Sequence, residues 1–108
     1  MKLYLDTTNN LKVIIRLDGE EFIGEYSSPQ DQDVLGFLMQ TLSLQGHVLK
    51  DITQIEVNPG PGSFTGSRVG VTIANALALA LSVPINGQKP PVIPIYSSPP
   101  NITTAKKV

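Results

Sequence analysis

There is no cysteine anywhere in the 108-residue sequence, which removes both a disulfide framework and any thiolate metal site. Histidine is nearly as scarce. His47 stands alone, so no Ser–His–Asp set can be argued. An excess of one charge is missing too: eight Lys and Arg against nine Asp and Glu leave a formal net charge of −1. That balance offers no electrostatic basis for gripping nucleic acid unaided. The amino terminus becomes polar at Asp6, too soon for a signal peptide. The longest apolar run, over 69–81, is interrupted by Thr72 and Asn75 and falls short of a membrane span. No internal repeat is visible. What remains is a cytoplasmic globular protein of one small domain, with no membrane association and an accidental Asn101-Ile-Thr sequon.

The most informative stretch is 52–82. Residues 52–57 alternate apolar and polar side chains and are rich in β-branched residues, which predicts a strand. Asn58-Pro59-Gly60-Pro61-Gly62 can continue neither strand nor helix, because proline removes donors and glycine tolerates dihedrals that other residues avoid. Ser63 or Thr65 can cap the helix that begins near Phe64. In that helix Gly66, Gly70, Ala74 and Ala78 recur every four positions, which predicts a shallow groove along one side. Val69, Ile73, Leu77 and Leu81 form the neighbouring ridge, and Arg68, Thr72 and Asn75 form a thin polar stripe. So apolar a helix must be covered on more than one side. Glycine costs about 1 kcal/mol against alanine inside a helix, so Gly70 implies close backbone approach.

Elsewhere the pattern predicts strands over 2–5, 11–17 and 20–26, the last two joined at Asp18-Gly19, a strong hairpin signal. A first helix is expected over 30–45, with Val34, Leu35, Leu38 and Leu42 on its apolar face and Phe37, Met39 and Leu44 broadening it. Asp31 and Asp33 then fall in its first turn, where carboxylates favour the helix dipole. The order is βββαβα, with 92–96 as a candidate fifth strand, and it implies an α/β fold with a mixed sheet. Residues 1–87 are read as one subdomain. The prolines after Gln88 argue for an irregular, flexible end over 88–108.

The run from Gly60 to Gly70, GPGSFTGSRVG, followed by an alanine- and leucine-rich helix and Pro84, resembles the signature of the TsaB (YeaZ) family. The resemblance covers residues 1 to about 87. It implies one half of the actin-like, ribonuclease-H-like ATPase fold. It also implies a non-catalytic scaffold in the synthesis of N6-threonylcarbamoyladenosine (t6A) on tRNA, which such proteins support without being the enzyme. Full members carry a second subdomain of the same kind, and the proline-rich ending favours a naturally short member. The partners implied are a TsaD-like catalytic subunit, a TsaE-like ATPase and another copy of the chain, with tRNA reached only indirectly. ATP and metal are expected on those partners, and no cofactor on this chain. The catalytic relatives hold their metal with paired histidines, which a lone His47 cannot supply.

Two candidate sites follow. The first is a phosphate site made of Asp6, Thr7, Gly60, Gly62, Ser63 and Thr65, since a loop leading into a helix N-terminus presents free N–H groups. Its spacing is G-x-G-x-x-x-G, neither a dinucleotide fingerprint nor a P-loop with its lysine. The plainer reading is that the glycines shape a turn and Asp6 makes an Asx-type turn. The second is a partner surface. Family members use their first two helices for docking, which here implies Leu35, Phe37, Leu38, Met39 and Leu42 with Gly66, Arg68, Gly70, Ile73, Ala74, Leu77 and Ala78. Two alternatives stand beside the scaffold: a stand-alone nucleotide-binding half-domain, and a homodimeric structural module.

Overall fold

Alternation of side chains builds the sheet, as the sequence predicts. The computed structural model describes residues 1–62 and 64–93, and of 64–67 only the backbone. Its strands are β1 (Lys2–Asp6), β2 (Lys12–Leu17), β3 (Glu20–Glu25) and β4 (Gln54–Val57), in the order β3-β2-β1-β4. β1 is antiparallel to β2 and parallel to β4, so the sheet is mixed. Leu3, Leu5, Val13, Ile15, Leu17, Ile55 and Val57 point to one face and are buried there. Lys2, Tyr4, Arg16 and Glu56 line the other face, where Lys2 pairs with Glu56 and the Arg16 guanidinium lies 4.6 Å from the centre of the Tyr4 ring. Asp18 and Gly19 take φ of 50° and 91°, the left-handed pair that their hairpin needs.

Both helices, α1 (Val34–Leu44) and α2 (Phe64–Leu81), join the buried face. α1 starts four residues later than the pattern implies. Pro29–Asp31 forms a separate 3-10 turn, and Asp33 is the N-cap, accepting the Gly36 N–H at 2.9 Å. Asp31 and Asp33 therefore precede the helix instead of occupying its first turn. β4 likewise starts two residues later than expected, at Gln54, because Ile52 closes a preceding 3-10 turn, Leu49–Asp51.

The candidate fifth strand over 92–96 falls mostly outside the described residues. Residues 92–93 are not in a strand, and 94–96 lie outside the described residues. Val92 is instead tied to α2, donating its N–H to Asn75 Oδ1 at 2.8 Å and accepting from Asn75 Nδ2 at 2.9 Å. Sheet contact beyond β4 comes from Ile85, which makes a single parallel bridge to Ile55.

Candidate functional site

The carboxylate end of β1 and the loop after β4 meet, as the proposed phosphate site requires, but they meet each other. Asp6 Oδ1 accepts the backbone N–H and the hydroxyl of Thr8 at 2.9 and 2.7 Å. Asp6 Oδ2 accepts Asn58 Nδ2 at 3.1 Å and the Tyr4 hydroxyl at 3.3 Å. Partial burial pushes the Asp6 pKa up, but the bonds from Thr8, Asn58 and Tyr4 outweigh it and hold the carboxyl below its ordinary 3.8. Burial and the neighbouring Asp6 charge push the Tyr4 hydroxyl up. Asn58 Oδ1 accepts the Gly60 N–H at 3.0 Å, which shapes the loop. A Cβ on Gly62 would collide with the Thr8 side chain and lie 2.8 Å from the Thr8 carbonyl oxygen. Asp6 is thus a tie between two loops, and Gly62 is where they touch. Ser63 lies outside the described residues, and Thr65 is described only as a backbone position in the first turn of α2.

The small-residue stripe of α2 faces inward, which overturns its place on a partner surface. Gly70, Ala74 and Ala78 are buried within this chain, and a Cβ on Gly70 would collide with Thr7 Oγ1. The close approach that Gly70 implies is therefore to the turn after β1. Gly66 is described only by its backbone in α2. Leu38 and Leu42 of α1 are likewise core residues, because they turn toward the sheet. Phe37 is half-buried on Gly24 of β3, with ring carbons 3.1 Å from where a Cβ would stand. Burial withdraws five of the expected interface residues from direct contact with a partner: Leu38, Leu42, Gly70, Ala74 and Ala78.

What stays outside is narrower and coherent. Leu35 and Met39 are 49% and 44% exposed, too large a fraction to be counted as core. Each is two positions from Phe37, and at about 100° per residue that places them on the opposite flank of α1. Phe37 lies against β3 at one edge of the sheet, whereas α2 packs on β1 and β4. Leu35 and Met39 therefore face the α2 side. On α2, Asn75 holds the 92 segment on the outer flank, so half-buried Ile73 and Leu77, two positions to either side of it, face α1. Exposed Arg68 and Thr72, with half-buried Val69 and Ile73, line a shallow cleft of about 400 Å³. The result is an apolar seam between two helices; Arg68, seven positions from Asn75, shares that residue's outer flank of α2 and lies outside the seam.

Val48 and Leu79 are exposed apolar residues that escape sequence reasoning, and Leu44, expected to broaden the apolar face of α1, is exposed as well. Leu44, Val48 and Leu79 are all more than half exposed. Val48 borders a second hollow with Met39, Gly46, His47 and Leu49 at the end of α1. His47 Nδ1 lies 3.5 Å from Asp51 Oδ2, and the turn there is closed by the Val48 N–H donating to Asp51 Oδ2 at 3.0 Å. Among the described residues there is no cluster of His, Asp or Glu able to hold a metal, and no helix is long and apolar enough to cross a membrane.

Known proteins resemble the chain in sequence and in fold. A family model described as TsaD, tRNA N6-adenosine threonylcarbamoyltransferase, matches residues 30–87, more than half of the chain. The Escherichia coli K12 tRNA threonylcarbamoyladenosine biosynthesis protein TsaB is 41% identical over 56 residues, covering 52% of this chain and 24% of the relative. The Bacillus subtilis TsaB is 51% identical over 37 residues, covering 34% and 16%. The solved structure of YeaZ from Pseudomonas aeruginosa superposes with a TM-score of 0.64 at 29% identity, over 78% of this chain and 42% of that one. A second structure from that organism, of a protein described as similar to the peptidase YeaZ, gives the same TM-score and identity over 40% of its length. The chain thus matches about a quarter or less of the curated relatives' length, and about two-fifths of the solved structures. The shared architecture is that of the actin-like, ribonuclease-H-like fold.

Proposed function

The chain belongs to the TsaD family, in its TsaB/YeaZ branch, and from that premise we propose that it is a non-catalytic scaffold in t6A synthesis on tRNA. It docks on a TsaD-like catalytic subunit through the seam between α1 and α2. The observation that carries this reading is the pair of exposed side chains Leu35 and Met39 facing the flank of α2 that holds Ile73 and Leu77. Two apolar helix flanks side by side suit a pair of helices from another molecule, because ridges of one pair fill the grooves of the other. The internally bonded Asp6 carboxylate supports a structural role for the loops, with ATP and metal held by the partners.

The test is co-elution with the TsaD-like protein of the same organism, followed by light scattering. A complex is expected for the unaltered chain. The double variant Leu35→Glu, Met39→Glu changes only exposed positions, so it should fold normally and bind at least about tenfold more weakly. A variant that binds as well as the parent sinks the seam. A titration with ATP and magnesium is expected to show no binding by this chain alone.

A further inference from the structure

β4 is the outermost named strand on its side of the sheet, and such a strand ordinarily leaves a row of backbone groups open to another chain. β1 takes one side of β4. On the other side the N–H and C=O groups of Ile55 and Val57 can be accounted for one by one. The Ile55 N–H donates to the Pro84 carbonyl at 3.0 Å, and the Asn86 N–H donates to the Ile55 carbonyl at 2.9 Å. The Val57 N–H donates to Asn86 Oδ1 at 2.8 Å, and Asn86 Nδ2 donates to the Val57 carbonyl at 3.0 Å. One residue fills three of the four positions. Its side-chain amide reproduces the pair of bonds that a neighbouring strand would make.

A tight reversal holds that amide in place. Ile85 and Gln88 exchange N–H···O bonds at 2.9 and 3.0 Å. Asn86 and Gly87 between them take φ of 52° and 75°, as a two-residue hairpin with both central residues left-handed requires. The chain therefore turns away after one bridging residue and cannot continue along β4. At the opposite edge, β3 carries Glu20, Glu21 and Glu25, charges that discourage a second sheet from pairing there.

We propose that Asn86 is a lock on the β4 edge, and that the partner it excludes is the same edge of a second copy of this chain. The exposed backbone of β4 would be identical in every copy and always present at the protein's own concentration. Backbone closes the Ile55 groups and the Asn86 amide closes those of Val57, which together confine self-association to other surfaces. The lock does not depend on the scaffold reading.

The test replaces Asn86 by glycine, which keeps the left-handed turn while deleting the amide. Asn86→Asp is the second variant, since it can still accept from the Val57 N–H but cannot donate to the Val57 carbonyl. In Asn86→Gly the Val57 amide should exchange with deuterium roughly five- to tenfold faster than in the parent, the loss of one hydrogen bond's protection. Asn86→Asp should fall between. Light scattering should show Asn86→Gly associating beyond the parent's state at equal concentration, with the extra association lost on dilution. Unchanged Val57 exchange overturns the lock. Faster exchange with no change in association state overturns the exclusion of a second copy.

Discussion

Gly70 is the residue whose environment most changes its meaning. It stands where α2 passes over the turn after β1, with Thr7 Oγ1 in the space a side chain would need. Gly70→Ala, which helix propensity alone would favour, is expected to destabilise the fold by about 1–3 kcal/mol, the usual range for overpacking. Urea unfolding measures it, and adding Thr7→Ala should restore part of the loss by removing the hydroxyl that the methyl meets. Asp6 makes the second residue-level prediction. Its pKa is lower folded than unfolded, so its contribution to stability is present above the unfolded value and is lost as pH falls through the folded one. Asp6→Asn should lower stability at neutral pH and flatten the decline expected from about pH 5 downward. Thermal melts across that range give the comparison. A variant with the parent's acid limb would remove Asp6 from that decline.

Among the elements, α1 is the one whose boundary has consequences. An apolar periodicity cannot mark a helix start to the residue, because the pattern runs through residues that do not yet make helical bonds. Asp33 does mark it, through its bond to the Gly36 N–H. Asp33→Ala is expected to cost about 1 kcal/mol and to fray the first turn, where Leu35 stands. Hydrogen exchange at 36–38 reads the fraying directly. Partner binding should weaken with it if α1 presents the docking side chain. α2 shows the complementary lesson. Its four-residue spacing of small side chains correctly signalled close packing, but spacing on one helix does not say which neighbour comes close. Here the neighbour is the chain's own turn at Thr7.

At the scale of the whole molecule, mutual burial has sorted a long list of apolar positions into core and surface. Phe37 has Gly24 opposite it, and Leu38 and Leu42 have the sheet. Leu35 and Met39 keep nearly half their area exposed, as does Ile23 on the other sheet face. If the seam serves both self-association and the TsaD-like partner, the two uses compete. A homodimer should then dissolve as the complex forms in the co-elution experiment described above. A homodimer that persists alongside the partner would assign self-association to another surface.

Strand alternation, the Asp18-Gly19 hairpin, the glycine loop and the start of α2 near Phe64 were all legible in the residues, because each rests on short-range sterics and hydrogen bonding. The family signature was legible for a related reason, being a contiguous run. Asn86-Gly87 is a turn dipeptide of the same kind as Asp18-Gly19, but nothing in the local pattern says what the reversal there is for. That purpose, the inward turn of Gly70, Ala74 and Ala78, and the tie at Asp6 depend on contacts between residues far apart in the chain. Val57 and Asn86 are separated by 29 positions, and Asp6 and Asn58 by 52. Local pattern prescribes which side chains can pair or pack. Only the closed fold selects their partners, because burial leaves each buried polar group a single place to be satisfied.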